Sequence, residues 1–181
     1  VSERSLIAAA KRGDARAYET LVRSYEGVAW RTALVILRDA TDAEDAVQSA
    51  LLKAWQHLAR FRDGEPFRPW LLRIVANEAK NVRIVRQRGR DRTTNVEDQP
   101  TIAAREPDVL DTLVVAERSR DLVARINRLP LPDREILHLK YTLELTEPEI
   151  AGVLDIARGT VKSRLSRAIE RLRQGYQEAQ P

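Results

Sequence analysis

The stretch Thr146-Glu147-Pro148-Glu149-Ile150-Ala151-Gly152-Val153-Leu154-Asp155-Ile156-Ala157-Arg158-Gly159-Thr160-Val161-Lys162-Ser163-Arg164-Leu165-Ser166-Arg167 decides the fold. Thr146 and Glu149 have capping-box spacing, and Pro148 is tolerated in a first turn. The first helix ends near Leu154. After Asp155-Ile156-Ala157 a second runs from about Arg158 to Tyr176. Ile150, Ala151, Leu154, Ile156, Val161 and Leu165 fall where two crossing helices need apolar contacts, and Ala151 is small enough for a close crossing. Asp155 occupies the turn, where its short polar side chain tolerates left-handed backbone. On the second helix Val161, Leu165, Ala168, Ile169 and Leu172 share one side. Lys162, Ser163, Ser166, Arg167 and Glu170 take the other. An inner apolar stripe under short polar and long basic side chains suits a helix-turn-helix with its second helix in the major groove. There Lys and Arg donate to guanine and Ser bonds to bases or phosphates. Arg164 is nearer the flank, where a phosphate or structural role fits. An ordinary amphipathic terminal helix is the plainer reading of the same pattern.

Outward from this motif the chain reads as helix, with apolar residues at three- and four-residue intervals and no strand-length alternation. A first helix spans about Ser5–Arg12 and stops at Gly13. A second starts after Asp14 and continues towards Leu37. Thr41 and Glu44 form another capping box, opening a helix to Leu58 with Val47, Leu51, Ala54 and Leu58 inward. Gly64, Pro66 and Pro69 make 62–69 a loop. A helix then runs from Trp70 to Arg88 with Leu71, Val75, Ala79 and Val82 on one face. Glu78 falls close to that face with no evident reason. Thr93–Pro107 carries few large apolar residues and reads as a flexible acidic linker. Helix resumes at Asp108 and runs to about Arg128. It breaks at Leu129-Pro130-Leu131-Pro132 and continues from Asp133 to Tyr141. The fold class is all-α, with two small helical domains, 1–92 and 108–178, joined by 93–107.

Composition limits what such a chain does. It has 181 residues, 43% hydrophobic and 32% charged, with a formal net charge of +4. With no cysteine in the sequence, disulfides, thiolate metal sites and cysteine nucleophiles are excluded. Its longest wholly apolar runs, such as Ala33–Leu37, are about five residues against the ~18 of a membrane span. The N-terminus shows no signal-peptide core, and the expected location is cytoplasmic. His57 and His138 are isolated, and the glycines form no phosphate loop, so no catalytic residue, metal ligand, cofactor or small-molecule substrate is expected. The small net charge hides a patterned distribution. Arg60–Arg92 holds ten basic against four acidic residues, and Arg158–Arg173 six against one. Between them, 93–117 holds six acidic residues against one basic. Two basic helical segments fit two contacts with a polyanion.

Glu149-Ile150-Ala151 with Gly159-Thr160-Val161-Lys162-Ser163-Arg164 resembles region four of the extracytoplasmic-function (ECF) sigma factors. Asp42-Ala43-Glu44-Asp45-Ala46-Val47-Gln48, Lys53-Ala54-Trp55 and Phe67-Arg68-Pro69-Trp70-Leu71-Leu72-Arg73-Ile74-Val75-Ala76-Asn77 resemble region two. Nearly the whole chain is covered, in the family's order.

The resemblance implies binding to core RNA polymerase and promoter-specific initiation. Region four would read the minus-thirty-five duplex through Lys162, Ser163, Ser166 and Arg167, with Arg158, Thr160 and Arg164 beside them. Region two would recognise and melt the minus-ten element, holding a flipped base of the non-template single strand through Phe61, Arg62, Arg73 and Asn77, with Lys80 and Asn81 adjacent. An Asn amide offers an edge to pair with, and Phe61 or Arg62 a flat surface to stack on. Asp45, Gln48 and Lys53 match the polymerase-binding positions, while Ser49 stands where the family usually has Glu. An anti-sigma factor, often membrane-bound, is a further implied partner. Trp55 and Trp70 read as core, Phe61 could equally pack over its helix end, and Asn77 and Asn81 could be plain solvent-facing amides. Two other functions fit parts of the pattern: a stand-alone helix-turn-helix regulator, and a module that only sequesters polymerase.

Overall fold

A computed structural model describes residues 2–90 and 121–177, and every described regular element is helical. Two compact units result, one built on the N-terminal helices and one on the C-terminal helices. The expected linker 93–107 and the helix start at 108 lie outside the described residues, while 121–128 is helical.

In the first unit α1 (Glu3–Lys11) is capped by Ser2, whose hydroxyl accepts from Ser5 N. It stops before Gly13, which has φ +93°. Asp14 then caps α2 (Ala15–Arg23), accepting from Arg16 N at 3.0 Å and Ala17 N at 3.1 Å. The single helix expected from Asp14 to Leu37 is two. The Ser24 hydroxyl donates to Leu21 O at 2.8 Å, Tyr25 N closes onto Val22 O at 2.8 Å, and α3 (Glu26–Leu37) starts afresh. Apolar periodicity ran through this break because both helices bury residues in register with it.

The expected Thr41 cap is also corrected. Arg38 takes a left-handed φ of 60°, the next residue swings into extended geometry, and Asp39 accepts from Asp42 N at 2.9 Å. α4 (Ala40–His57) therefore starts before Thr41, which lies in its first turn. A 3-10 turn, Leu58–Arg60, follows it. α5 (Phe67–Arg90) begins three residues earlier than read, because Pro66 precedes it and Pro69 occupies the first turn, where a missing N–H costs nothing.

α3, α4 and α5 pack mutually, and α1 packs on α2. Ala29 and Ala33 of α3, Ala43, Ala46, Ala50 and Ala54 of α4 and Ala79 of α5 are all fully buried. Small side chains at the crossings let the helix axes approach closely. Ile36, Leu58, Phe67, Leu71, Leu72 and Val75 fill the remaining core. α2 is tied to α4 by the Tyr18 hydroxyl, which donates to Leu51 O at 2.6 Å, and by the Tyr18–Trp55 ring contact at 4.9 Å.

In the second unit α6 is described over 121–128. α7 (Leu131–Leu137) starts two residues before the expected Asp133, with Pro132 in its first turn. Arg134 turns inward and donates to Leu129 O at 3.1 Å and Asn127 O at 3.4 Å, satisfying carbonyls at the C-terminal end of α6. A π-helical turn, His138–Thr142, closes with Leu143 N donating to His138 O at 3.0 Å. α8 (Glu147–Leu154) begins at the expected capping box. The Glu149 carboxylate accepts from Thr146 N at 2.8 Å and from the Thr146 hydroxyl at 2.7 Å. α9 (Arg158–Gln177) packs on α7, and Arg171 of α9 pairs with Asp133, whose side chain is 6% exposed.

Candidate nucleic-acid interface

The turn before α9 works as its residues suggest. Asp155 has φ 56°, and Ile156 N donates to Ala151 O at 3.1 Å. The Ala157 carbonyl accepts from Thr160 N at 2.9 Å and Val161 N at 3.3 Å, closing the first turn of α9. Along α9, Val161, Leu165 and Ala168 are buried while Ile169 and Leu172 are half-buried. Lys162, Ser163, Ser166 and Arg167 are exposed, as is Arg158, and Thr160 and Arg164 are half-buried. Two local bonds shape the outer face. The Ser163 hydroxyl donates to Thr160 O at 3.1 Å, and Arg167 Nε donates to Ser163 O at 3.2 Å. The guanidinium is thus laid back along its own helix and leaves its remaining N–H donors for another acceptor.

In the first unit the sequence-derived residues separate. Arg73, Asn77 and Asn81 are exposed on α5 at four-residue spacing, so they form one row, with Lys80 half-buried beside it. Arg62 is exposed at the α4–α5 loop. Phe61 is not a surface residue. It is 4% exposed, with its ring against Trp70 at 5.2 Å and Phe67 at 5.6 Å. Phe67 in turn meets Tyr25 at 5.5 Å. The 3-10 turn carries Phe61 inward, so this structure corrects the expectation of an available stacking face there and leaves Arg62 as the flat group at the loop surface. The loop is held by α1. Lys11 Nζ donates to Phe61 O at 2.6 Å and to the Asp63 carboxylate at 2.6 Å.

The outer face of α4 carries Asp45, Gln48, Ser49 and Gln56, all exposed, around Leu52, which is 60% exposed. Leu52 was not singled out from sequence. The signal was the Leu51-Leu52 doublet, since only one of two successive helical residues can lie on the apolar stripe. Lys53 is tied down. It pairs with Glu78 of α5, whose side chain is 14% exposed, which accounts for the acid near the apolar face. Part of the basic run is likewise committed internally. Arg86 pairs with Asp42 at 2.5 Å and reaches Asp39 at 3.6 Å, across the N-terminus of α4.

Among the described residues no group of His and acidic side chains could hold a metal ion. None of the helices is long and apolar enough to cross a membrane, among the described residues. Two tyrosines are strongly perturbed. Burial, opposed by a backbone hydrogen bond, pushes Tyr18 up to about 12. Burial, reinforced by the hydrogen bond to Glu3 and its charge, pushes Tyr25 to about 12, with Arg68 opposing.

The family models for Sigma-70 region 2 and Sigma-70 region 4 match residues 21–91 and 119–172. The ECF RNA polymerase sigma factor SigL of Mycobacterium tuberculosis is 33% identical, over 95% of this chain and 96% of that protein. The chain belongs to the ECF sigma factors. The ECF sigma-E factor of Escherichia coli is 32% identical over 94% of this chain and 92% of its own length. The sigma factor RpoE of Bartonella quintana, solved in complex with the anti-sigma factor NepR, has TM-score 0.73 at 25% identity, covering 90% of this chain and 98% of that one. This ECF sigma factor therefore directs transcription initiation, and the stand-alone regulator is not favoured. The region 2 match starts inside α2, so α1 lies outside it.

Proposed function

We propose that the outer row of α9, Lys162, Ser163, Ser166 and Arg167, reads the minus-thirty-five duplex, with Arg158, Thr160 and Arg164 on the flanking phosphates. Arg62 and the α5 row of Arg73, Asn77 and Asn81, with Lys80 beside it, hold the minus-ten non-template strand. Asp45, Gln48 and Leu52 face the core polymerase. Lys53 supports that face from its pair with Glu78. The working modules are 1–92 for polymerase and the minus-ten element and 108–178 for the minus-thirty-five element. The site of action is the cytoplasm, and an anti-sigma factor holds the protein inactive until its signal arrives, as the solved relative with NepR suggests.

The observation that carries this reading is the register of α9. The side chains at positions 162, 163, 166 and 167 are exposed, while 161, 165 and 168 are buried. A helix fixed this way presents a narrow polar ridge of groove-sized side chains. The chain needs no catalysis of its own. Capturing unstacked bases offsets a few kcal/mol per base. The test is selection of bound promoter sequences with reconstituted holoenzyme, wild type against Arg167→Ala. The variant should lose preference at one or two minus-thirty-five positions and keep its minus-ten motif. Unchanged preference at every position would refute the assignment of α9.

A further inference from the structure

The α4–α5 loop is gripped from outside the helices it joins. Lys11, in the last turn of α1, sends its ammonium to the Phe61 carbonyl and the Asp63 carboxylate, each at 2.6 Å. Those two acceptors flank Arg62. The same nitrogen lies 5.6 Å from the centroid of the Phe61 ring. The Lys11 side chain is 20% exposed, so its charge is partly withdrawn from water, whereas that of Asp63 is 85% exposed. Partial desolvation and two charge-assisted bonds make this contact stronger than an open surface pair. Gly64 at φ +92° turns the chain immediately afterwards, and Glu65 N donates to Arg62 O at 3.3 Å.

We propose that Lys11 is a specificity-determining positioning residue, which fixes Arg62 by holding the residue on each side of it and so sets which minus-ten base the loop accepts. This rests on the minus-ten reading above. Two physical consequences follow from one ammonium. It holds the backbone carbonyl before the stacking residue and the side chain after it. It also neutralises Asp63, whose carboxylate would otherwise repel the strand phosphates. The helix that supplies it lies outside the part of the chain matched by the region 2 family model, so loop specificity depends on residues that the match does not include.

The test uses full-length protein assembled with core polymerase and labelled single-stranded non-template oligonucleotides. These carry the wild-type preferred minus-ten sequence or single-base substitutions of it. Lys11→Met should lower the preference for the best base by about tenfold, the scale of losing charge-assisted bonds that orient one group. Lys11→Arg should restore most of it, and core polymerase affinity should not change. Hydrogen exchange over residues 61–65 should rise in Lys11→Met. Should Lys11→Met fold poorly, Asp63→Asn supplies the same readout with Lys11 intact and should lose part of the preference. Wild-type preference in a folded Lys11→Met, or in Asp63→Asn, overturns the proposal. A wild-type holoenzyme with no base preference at all removes instead the minus-ten reading beneath it.

Discussion

Glu78 of α5 pairs with Lys53 of α4, joining the helix that carries the candidate strand-binding row to the helix that carries the candidate polymerase face. The two partners are unequally exposed, at 14% for the Glu78 side chain and 48% for Lys53. Removing the lysine leaves a nearly buried carboxylate uncompensated, while removing the acid leaves a cation that water can reach. Lys53→Met should therefore destabilise region two by about 1–3 kcal/mol and Glu78→Gln by about 1 kcal/mol or less. Urea unfolding of both variants checks the order, and equal losses would contradict it.

Leu52 gives the opposite profile. It is 60% exposed and contributes little to the core. Leu52→Ala should leave the melting temperature within a degree or two, yet weaken core polymerase binding by about 1–2 kcal/mol, as expected for an apolar anchor. Fluorescence titration with core polymerase measures this, and unchanged affinity would remove α4 from the interface.

Arg167 and Arg164 should separate base reading from phosphate contact. Arg167→Ala should cost about 1–3 kcal/mol on the preferred minus-thirty-five duplex and much less on a scrambled one. Arg164→Ala should weaken both alike and lower the salt slope. Mobility-shift titrations at two or more salt concentrations distinguish the cases.

Asn77 sits exposed in the middle of the α5 row. Asn77→Ala should reduce open-complex formation while sparing duplex binding through α9. Permanganate reactivity of the minus-ten thymines reads the melting, and wild-type reactivity would remove Asn77 from the flipped-base role.

Alkaline titration tests the packing of α1, α2 and α4. Tyr18 and Tyr25 have folded pKa values raised to about 12, so folding favours their neutral forms. Their contribution to stability is complete below the unfolded tyrosine value near 10 and is lost as pH rises through about 12. Absorbance at 295 nm should show late ionisation from Tyr18 and Tyr25, and Tyr25→Phe should reduce its amplitude. An unchanged late amplitude in the variant would show that Tyr25 is not a late-ionising group.

The helix-turn-helix was legible because its constraints are local. The capping box at Thr146, the left-handed position at Asp155 and the apolar stripe of α9 each depend on neighbours within a turn or two. Elsewhere the misses share a cause. The break at Ser24-Tyr25 and the cap at Asp39 depend on side-chain bonds that periodicity does not register. For Phe61 a stacking face and packing over its helix end were both open, and the choice is made by Phe67 and Trp70, across a loop. Lys53 read as an exposed polymerase-binding position and Lys11 drew no reading, because their partners, Glu78 and Asp63, are far away along the chain. Leu52 shows the reverse: its sequence neighbour took the core position, and only the packed helix reveals which leucine was left outside.

Bound to core polymerase, this chain should select promoters through two separate contacts. Run-off transcription with purified chain and sigma-free polymerase on genomic fragments from a matching bacterium tests it most directly. Transcripts should have defined starts, their templates should share two spaced elements, and scrambling either element should abolish them. Transcription with no defined start, or starts indifferent to both elements, would contradict it.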